Sequence, residues 1–166
     1  HPTAILSNKI SIGNNVKIGP YAVINDYSII GDDCEIHERC VVGSEGMQLY
    51  RSENGKIANV PHSGGVSLGK SVVMLAGSLV SKAVHPIFTQ VGDETCLSIM
   101  VSVGHQCRVG KNCRIAGNSL LGGSVNVGDN VTIGPSVTIK DGVNIGNGAK
   151  IVIGSVVVTH VPCLLY

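Results

Sequence analysis

Charge is scarce in this chain. Only 14% of its 166 residues are Asp, Glu, Lys or Arg, and the formal net charge is +1. No basic face of the kind that attracts nucleic acid or an anionic membrane follows from such a balance. No apolar run approaches the roughly 20 residues that cross a bilayer, and no signal-peptide pattern precedes the first periodic residues. The expectation is therefore a cytoplasmic protein without a membrane span and without nucleic acid as a partner. Six cysteines occur without one C-x-x-C pair, which argues against a zinc knuckle or a redox dithiol. A P-loop and a dinucleotide fingerprint are also missing.

What is present is a period of six. Large aliphatic residues recur through Ile12, Ile18, Ile24, Ile30, Ile36 and Val42, and again from Val91 through Leu97, Val103, Val109, Ile115 and Leu121 to Ile151. A smaller residue stands two positions before each, and Gly often follows directly, as at Gly13, Gly104 and Gly110. Two inward positions in six fit neither a helix of period 3.6 nor a long strand of period 2. They do fit short strands bent at regular corners, where Gly, Asn or Asp tolerates the corner conformation. Cys34, Cys40, Cys107 and Cys113 fall in the small inward position and read as small buried hydrophobes. Three hexads make one triangular coil of about 18 residues, and stacked coils pair strand over strand at roughly 4.8 Å. The expected fold class is all-β: one parallel β-helix domain over residues 1–166, with roughly seven coils and a prism about 35 Å long.

Two stretches break the period. Residues 44–65, SEGMQLYRSENGKIANVPHSGG, contain no hexad, and 26 positions separate Val42 from Leu68 where 24 would keep phase. Within them, ENGK predicts a hairpin with a two-residue turn. A long excursion from a rigid scaffold is often functional; a tolerated insertion is the alternative. A smaller break covers KAVHPIF, Lys82 to Phe88.

One side chain stands out between residues 101 and 124. Val103 and Cys107 point inward, which leaves His105 near a corner and facing out of the core. Gly123, 18 positions later, falls one coil above the same corner. Among the other histidines, His37 occupies a comparable corner, His62 and His85 lie in the two breaks, and His160 is near the exit. An exposed corner histidine without a role is the plain alternative for His105.

The hexad pattern resembles the hexapeptide-repeat acyltransferases, whose fold is a left-handed parallel β-helix. The left hand is taken from that resemblance, because parallel crossovers otherwise favour the right. The long loop and the 101–124 stretch look most like UDP-3-O-acylglucosamine N-acyltransferases of lipid A synthesis, with G-S-E-G, N-G-K-I and V-P-H-S-G-G-V-x-L-G carrying the likeness. HQCRVG matches their H-x-C/V-x-I/V-G motif, so the resemblance implies that His105 is the general base and that the Gly123 backbone N–H donates to an oxyanion. It further implies an acyl-carrier-protein thioester, or acyl- or acetyl-CoA, as donor lying along coil edges. The implied acceptor is a nucleotide-linked amino sugar, and the implied assembly is a homotrimer, with acyl carrier protein as a further partner. Arg108, Arg114 and Asn118 are candidates for phosphate or pantetheine contacts.

Departures from the family pattern are visible. Gly142 stands where those enzymes have a second histidine, Gln106 where sugar acetyltransferases have Glu, and Met47 and Leu49 at aromatic and glycine positions. Carbonic anhydrases of this fold use two histidines separated by four residues, a pair this chain lacks, and no metal is expected. The opening HPTAI resembles the start of the β-helix in members with a separate N-terminal domain, so flanking segments of a longer chain are expected. The closing THVPCLLY resembles a sugar acetyltransferase exit and ends without a polar cap. Acetyl-CoA-dependent sugar O- or N-acetylation and a non-catalytic assembly domain remain the alternatives.

Overall fold

The computed structural model describes residues 1–163; the closing Leu164, Leu165 and Tyr166 of the exit motif lie outside them. Among the described residues there is no helix. Strands of two to four residues stack into three parallel sheets of eight, seven and seven strands. The first face runs from Ile5–Leu6 to Val156–Val157, the second from Ser11–Ile12 to Asn144–Ile145, and the third from Lys17–Ile18 to Lys150–Ile151. In regular coils the chain returns to the same face every 18 positions, so that Val103 pairs with Leu121 and Leu121 with Ile139.

Two-residue strands have no stability alone, and stacking supplies it. On the first face Ile24, Val42, Val80, Val103, Leu121 and Ile139 lie over one another at no more than 1% exposure. Burying each such side chain contributes about 1.5–3 kcal/mol. The corners are held by backbone geometry. Gln106, Asn118, Ser124 and Asn130 all adopt φ near +59°, a region non-glycine residues enter at a cost. Hydrogen bonds to the coil below offset that cost: Ser124 N–H donates to the His105 carbonyl at 2.8 Å, and Asn130 N–H to Lys111 at 2.9 Å.

The small inward position is more than a place for a small hydrophobe. The buried thiols of Cys34, Cys107 and Cys113 donate to the carbonyls of Gly69, Gly122 and Gly128 at 3.0 to 3.1 Å. Thr95 and Ser119 hydroxyls do the same toward Gly110 and Gly134. Where Cys, Thr or Ser fills it in these coils the position supplies a compact donor to a corner carbonyl of the next coil, whereas Val101, Val125 and Val131 fill it with an apolar side chain alone.

Both breaks leave the prism at the corner joining the first face to the second. The long excursion departs after Val41–Ser44 and returns at Gly65–Leu68, and the shorter one lies between Leu79–Ser81 and Phe88–Val91. The hairpin forms as Leu49–Arg51 against Ile57–Asn59. Its connection is longer than the two residues expected, because the last pair is Arg51 with Ile57. Ser52 Oγ donates to Asn54 Oδ1 and to the Lys56 carbonyl, and Gly55 adopts φ +81°. These side-chain bonds hold residues 52–56 open as a wider loop. Beyond the last strand, Val156–Val157, Val161 bridges in parallel to Ile145.

The core stacks make a direct prediction. Ile133 is fully buried and paired above and below with Ile151 and Ile115. Ile133→Ala should lower unfolding free energy by about 2–5 kcal/mol, measured by chemical denaturation; a loss below about 1 kcal/mol would contradict the packing described.

Candidate active site

The corner between the first and second faces collects the unusual chemistry of the molecule. Going up that edge, the coils contribute the hairpin, then residues 82–87, then His105, Gly123 and Asp141. The two irregular segments brace each other. Lys82 N–H donates to the Ser44 carbonyl at 2.9 Å, and its ammonium pairs with Glu45 at 3.3 Å. Ser63 and Gly64 N–H groups donate to Val84 and Ala83 at 3.0 Å. Gly64 lies so close to the carbonyls of His85 and Ile87 that a Cβ would not fit.

His105 occupies the first corner position of its coil, after Gly104, and is half-buried. Its ring lies over Gly123. A Cβ on Gly123 would stand 2.6 Å from His105 Nε2 and 3.0 Å from Nδ1, so the imidazole can lie there only because residue 123 is glycine. His105 Nδ1 is buried without a hydrogen-bond partner among the described residues. A buried polar atom costs about 1–3 kcal/mol unless water or a ligand meets it.

The absence of a side chain at 123 has a second effect. At some other corners the backbone N–H of one coil is taken by a carboxylate or amide 18 residues on: Lys111 N–H by Asp129, and Asp129 N–H by Asn147. Gly123 offers no such acceptor, and among the described residues His105 N–H has no partner. Gly123 N–H itself is engaged, donating to Asp141 Oδ1 at 3.0 Å. The donor group expected at Gly123 is thus within the site, with a carboxylate on it.

These residues line a cleft of about 620 Å³. Glu45, Met47 and Leu49 of the hairpin form one wall, and Leu120, His105 and Asp141 of the coils form another. The long loop is therefore part of the site. His62, which the sequence marks only as lying in that loop, is 5% exposed, and its ring meets the His105 ring nearly at right angles with centroids 5.8 Å apart. Gly46 is wedged between them: a Cβ there would touch His105 Cδ2 and His62 Nε2 at 3.4 Å.

Other expected contacts fall elsewhere. Arg108 and Arg114 project from strands of the second and third faces, not from corners, and Arg114 lines a separate groove with Cys96 and Pro135. Asn118 sits at the corner between the third and first faces. None of the three lines the His105 cleft. His37 lies beside Glu35 and Glu38 at 3.7 and 3.9 Å, His85 is exposed, and His160 Nδ1 accepts the Asn144 N–H. Among the described residues no group of three or more His, Cys, Asp or Glu is placed to hold a metal, and no helix is long and apolar enough to cross a membrane.

Comparison with known proteins agrees with this architecture. Residues 9–44 match the family profile of the bacterial transferase hexapeptide (six repeats). UDP-3-O-acylglucosamine N-acyltransferase 1 of Francisella tularensis subsp. holarctica is 35% identical over 73 residues, which is 43% of this chain and 21% of that protein. The matched stretch thus spans about a fifth of its curated relatives. UDP-N-acetylglucosamine acyltransferase from Campylobacter jejuni superimposes with a TM-score of 0.74 at 22% identity, covering 97% of this chain and 68% of that one. LpxA from Acinetobacter baumannii gives 0.76 at 22% identity, covering 98% and 68%. The likeness to these structures shows the fold, a left-handed parallel β-helix of hexapeptide repeats.

Two predictions follow from the site. Gly123→Ala should leave the fold intact and cost about 1 kcal/mol or less, yet rotate the His105 ring off residue 123; a crystal structure of the variant with the ring unmoved would refute the contact. Burial pushes the Cys107 thiol up to about 12, and Cys34, Cys40 and Cys113 are also buried. A thiol reagent should label only Cys96 and Cys163 in the native protein, and fast labelling of Cys107 would contradict its placement.

Proposed function

We propose that this chain is the catalytic β-helix of an acyltransferase of lipid A or surface-glycan synthesis. It moves an acyl group from a thioester donor to the amine of a nucleotide-linked amino sugar. The observation that carries the reading is the His105 imidazole, freed over Gly123 and facing a cleft closed on one side by the hairpin. The likeness to named N-acyltransferases supports the reaction class. The cleft takes the acceptor as the neutral amine, with Asp141 and Glu45 in its lining as hydrogen-bond acceptors for the amine hydrogens.

The proposed reaction balances without a metal or redox cofactor. The amine lone pair attacks the thioester carbonyl carbon while a neutral His105 nitrogen takes the amine proton. The carbonyl oxygen becomes an oxyanion, and the Gly123 N–H turns to it as Asp141 Oδ1 withdraws; the unpartnered His105 N–H is a second donor at the same corner. The C–S bond then breaks, the amide forms, and the leaving thiolate takes the proton from His105.

Met47, Leu49, Leu79 and Leu120 in the cleft favour an acyl chain longer than acetyl, and therefore an acyl-carrier-protein thioester over acetyl-CoA. A homotrimer would set a neighbouring copy against this groove and complete a site for a nucleotide sugar.

The test is a mass-spectrometric transfer assay on the purified chain. UDP-linked amino sugars are offered with acyl-carrier-protein thioesters or with acetyl-CoA, beside His105→Ala. The expected result is N-acylated product from the longer thioester, lowered on the order of 10² to 10⁴ in the variant. Product from acetyl-CoA alone would overturn the donor, and full turnover in His105→Ala would overturn the base. No product from any pair, with the folded oligomer confirmed, would leave an assembly domain as the better reading.

A further inference from the structure

The hairpin could have been a passive wall of the cleft, but one of its side chains reaches the base. His62 is buried, and both of its ring nitrogens are committed. The Val60 carbonyl, 3.0 Å from Nδ1, can only accept, so Nδ1 carries the hydrogen. Nε2 then accepts the Gly46 N–H at 3.3 Å. The two bonds fit one form of the ring, the neutral Nδ1–H tautomer. They join the two legs of the hairpin at its base, since Gly46 is on the outgoing leg and Val60 on the returning one. The ring stands nearly perpendicular to that of His105, with centroids 5.8 Å apart.

His105 needs such a support. Its ring has no hydrogen bond at Nδ1 to fix its rotation, and Gly123 against it presents only backbone. Gln106, the next residue, is held by its own backbone, donating N–H to Thr89 Oγ1 at 2.8 Å. The contacts that limit the imidazole's rotation therefore come from Gly123 on one side and from His62 with Gly46 on the other.

We propose that His62 is a positioning residue: through Gly46 and its own ring it sets the orientation of the His105 imidazole over Gly123, coupling the hairpin to the base. The kinetic half of the inference rests on the acyltransferase reading above, whereas the geometric half does not.

Two substitutions test it. In His62→Gln the side-chain amide can still donate to Val60 and its carbonyl oxygen can accept from Gly46, whereas His62→Leu fills the space and makes neither bond. The His105 ring is followed in the intact protein by its ¹H–¹⁵N signals and by NOEs to the Gly123 α-protons. In His62→Leu those signals should shift and the NOEs weaken, kcat should fall about ten- to a hundredfold, as expected for a misaligned catalytic group, and KM should change less than kcat. His62→Gln should restore the NOEs and bring kcat back to within about threefold of the parent. Unmoved His105 signals in a folded His62→Leu protein would overturn the proposal, as would equal losses in both variants with the His105 ring unchanged. If the parent protein shows no transfer, the NMR comparison still decides the positioning role, and it is the functional reading that fails.

Discussion

Strand-over-strand hydrogen bonding at an 18-residue repeat governs this molecule. Each coil is too short to hold its own shape, and its backbone groups are satisfied by the coils above and below. The repeat fixes what sits over what, so a residue and the one 18 positions later face the same neighbours. It also fixes where the chain can depart. A strand displaced from a face would open the ladder on both sides, whereas a corner can be lengthened without disturbing a sheet. Both excursions therefore leave at a corner, and they leave at the same one, in successive coils.

That shared corner turns a repetitive scaffold into a site. At some corners an N–H is closed off by an Asp or Asn from the next coil, as between Lys111 and Asp129. At His105 the next coil supplies Gly123, which frees both the backbone donor and the space for the ring. One coil further, Asp141 restores the usual cap on Gly123 N–H. The glycine at 123 thus leaves room for the His105 ring, and the hairpin segment lines the cleft beside it.

The fold was legible because the hexad rule is local and repeated: Ile115, Leu121 and Val127 each declare an inward position without reference to anything distant. The pairing of His105 with Gly123 was legible for the same reason, by counting 18. Asp141, two periods above His105, lay within reach of the same count, though only the geometry reveals that its carboxylate takes the Gly123 N–H. His62 was not legible. Its contact with His105 depends on how a hairpin outside the repeat folds back, and no periodicity connects positions 62 and 105. The misplacement of Arg108 and Arg114 has a simpler cause, since the residue between two inward positions is the outward middle of a strand rather than a corner. The inward cysteines were placed correctly, but their hydrogen bonds to corner carbonyls were hidden behind a side chain that behaves in composition as an apolar one.

We propose this corner as the place of acyl transfer. A crystal structure of the protein with an N-acylated UDP-amino sugar would test it most directly. The amide nitrogen is expected within about 2.6–3.2 Å of a His105 ring nitrogen, the reach of a general base, with the acyl chain running along Met47, Leu49 and Leu120. A ligand bound on another face, or a His105 corner covered by a neighbouring subunit with no room for the amide, would contradict it.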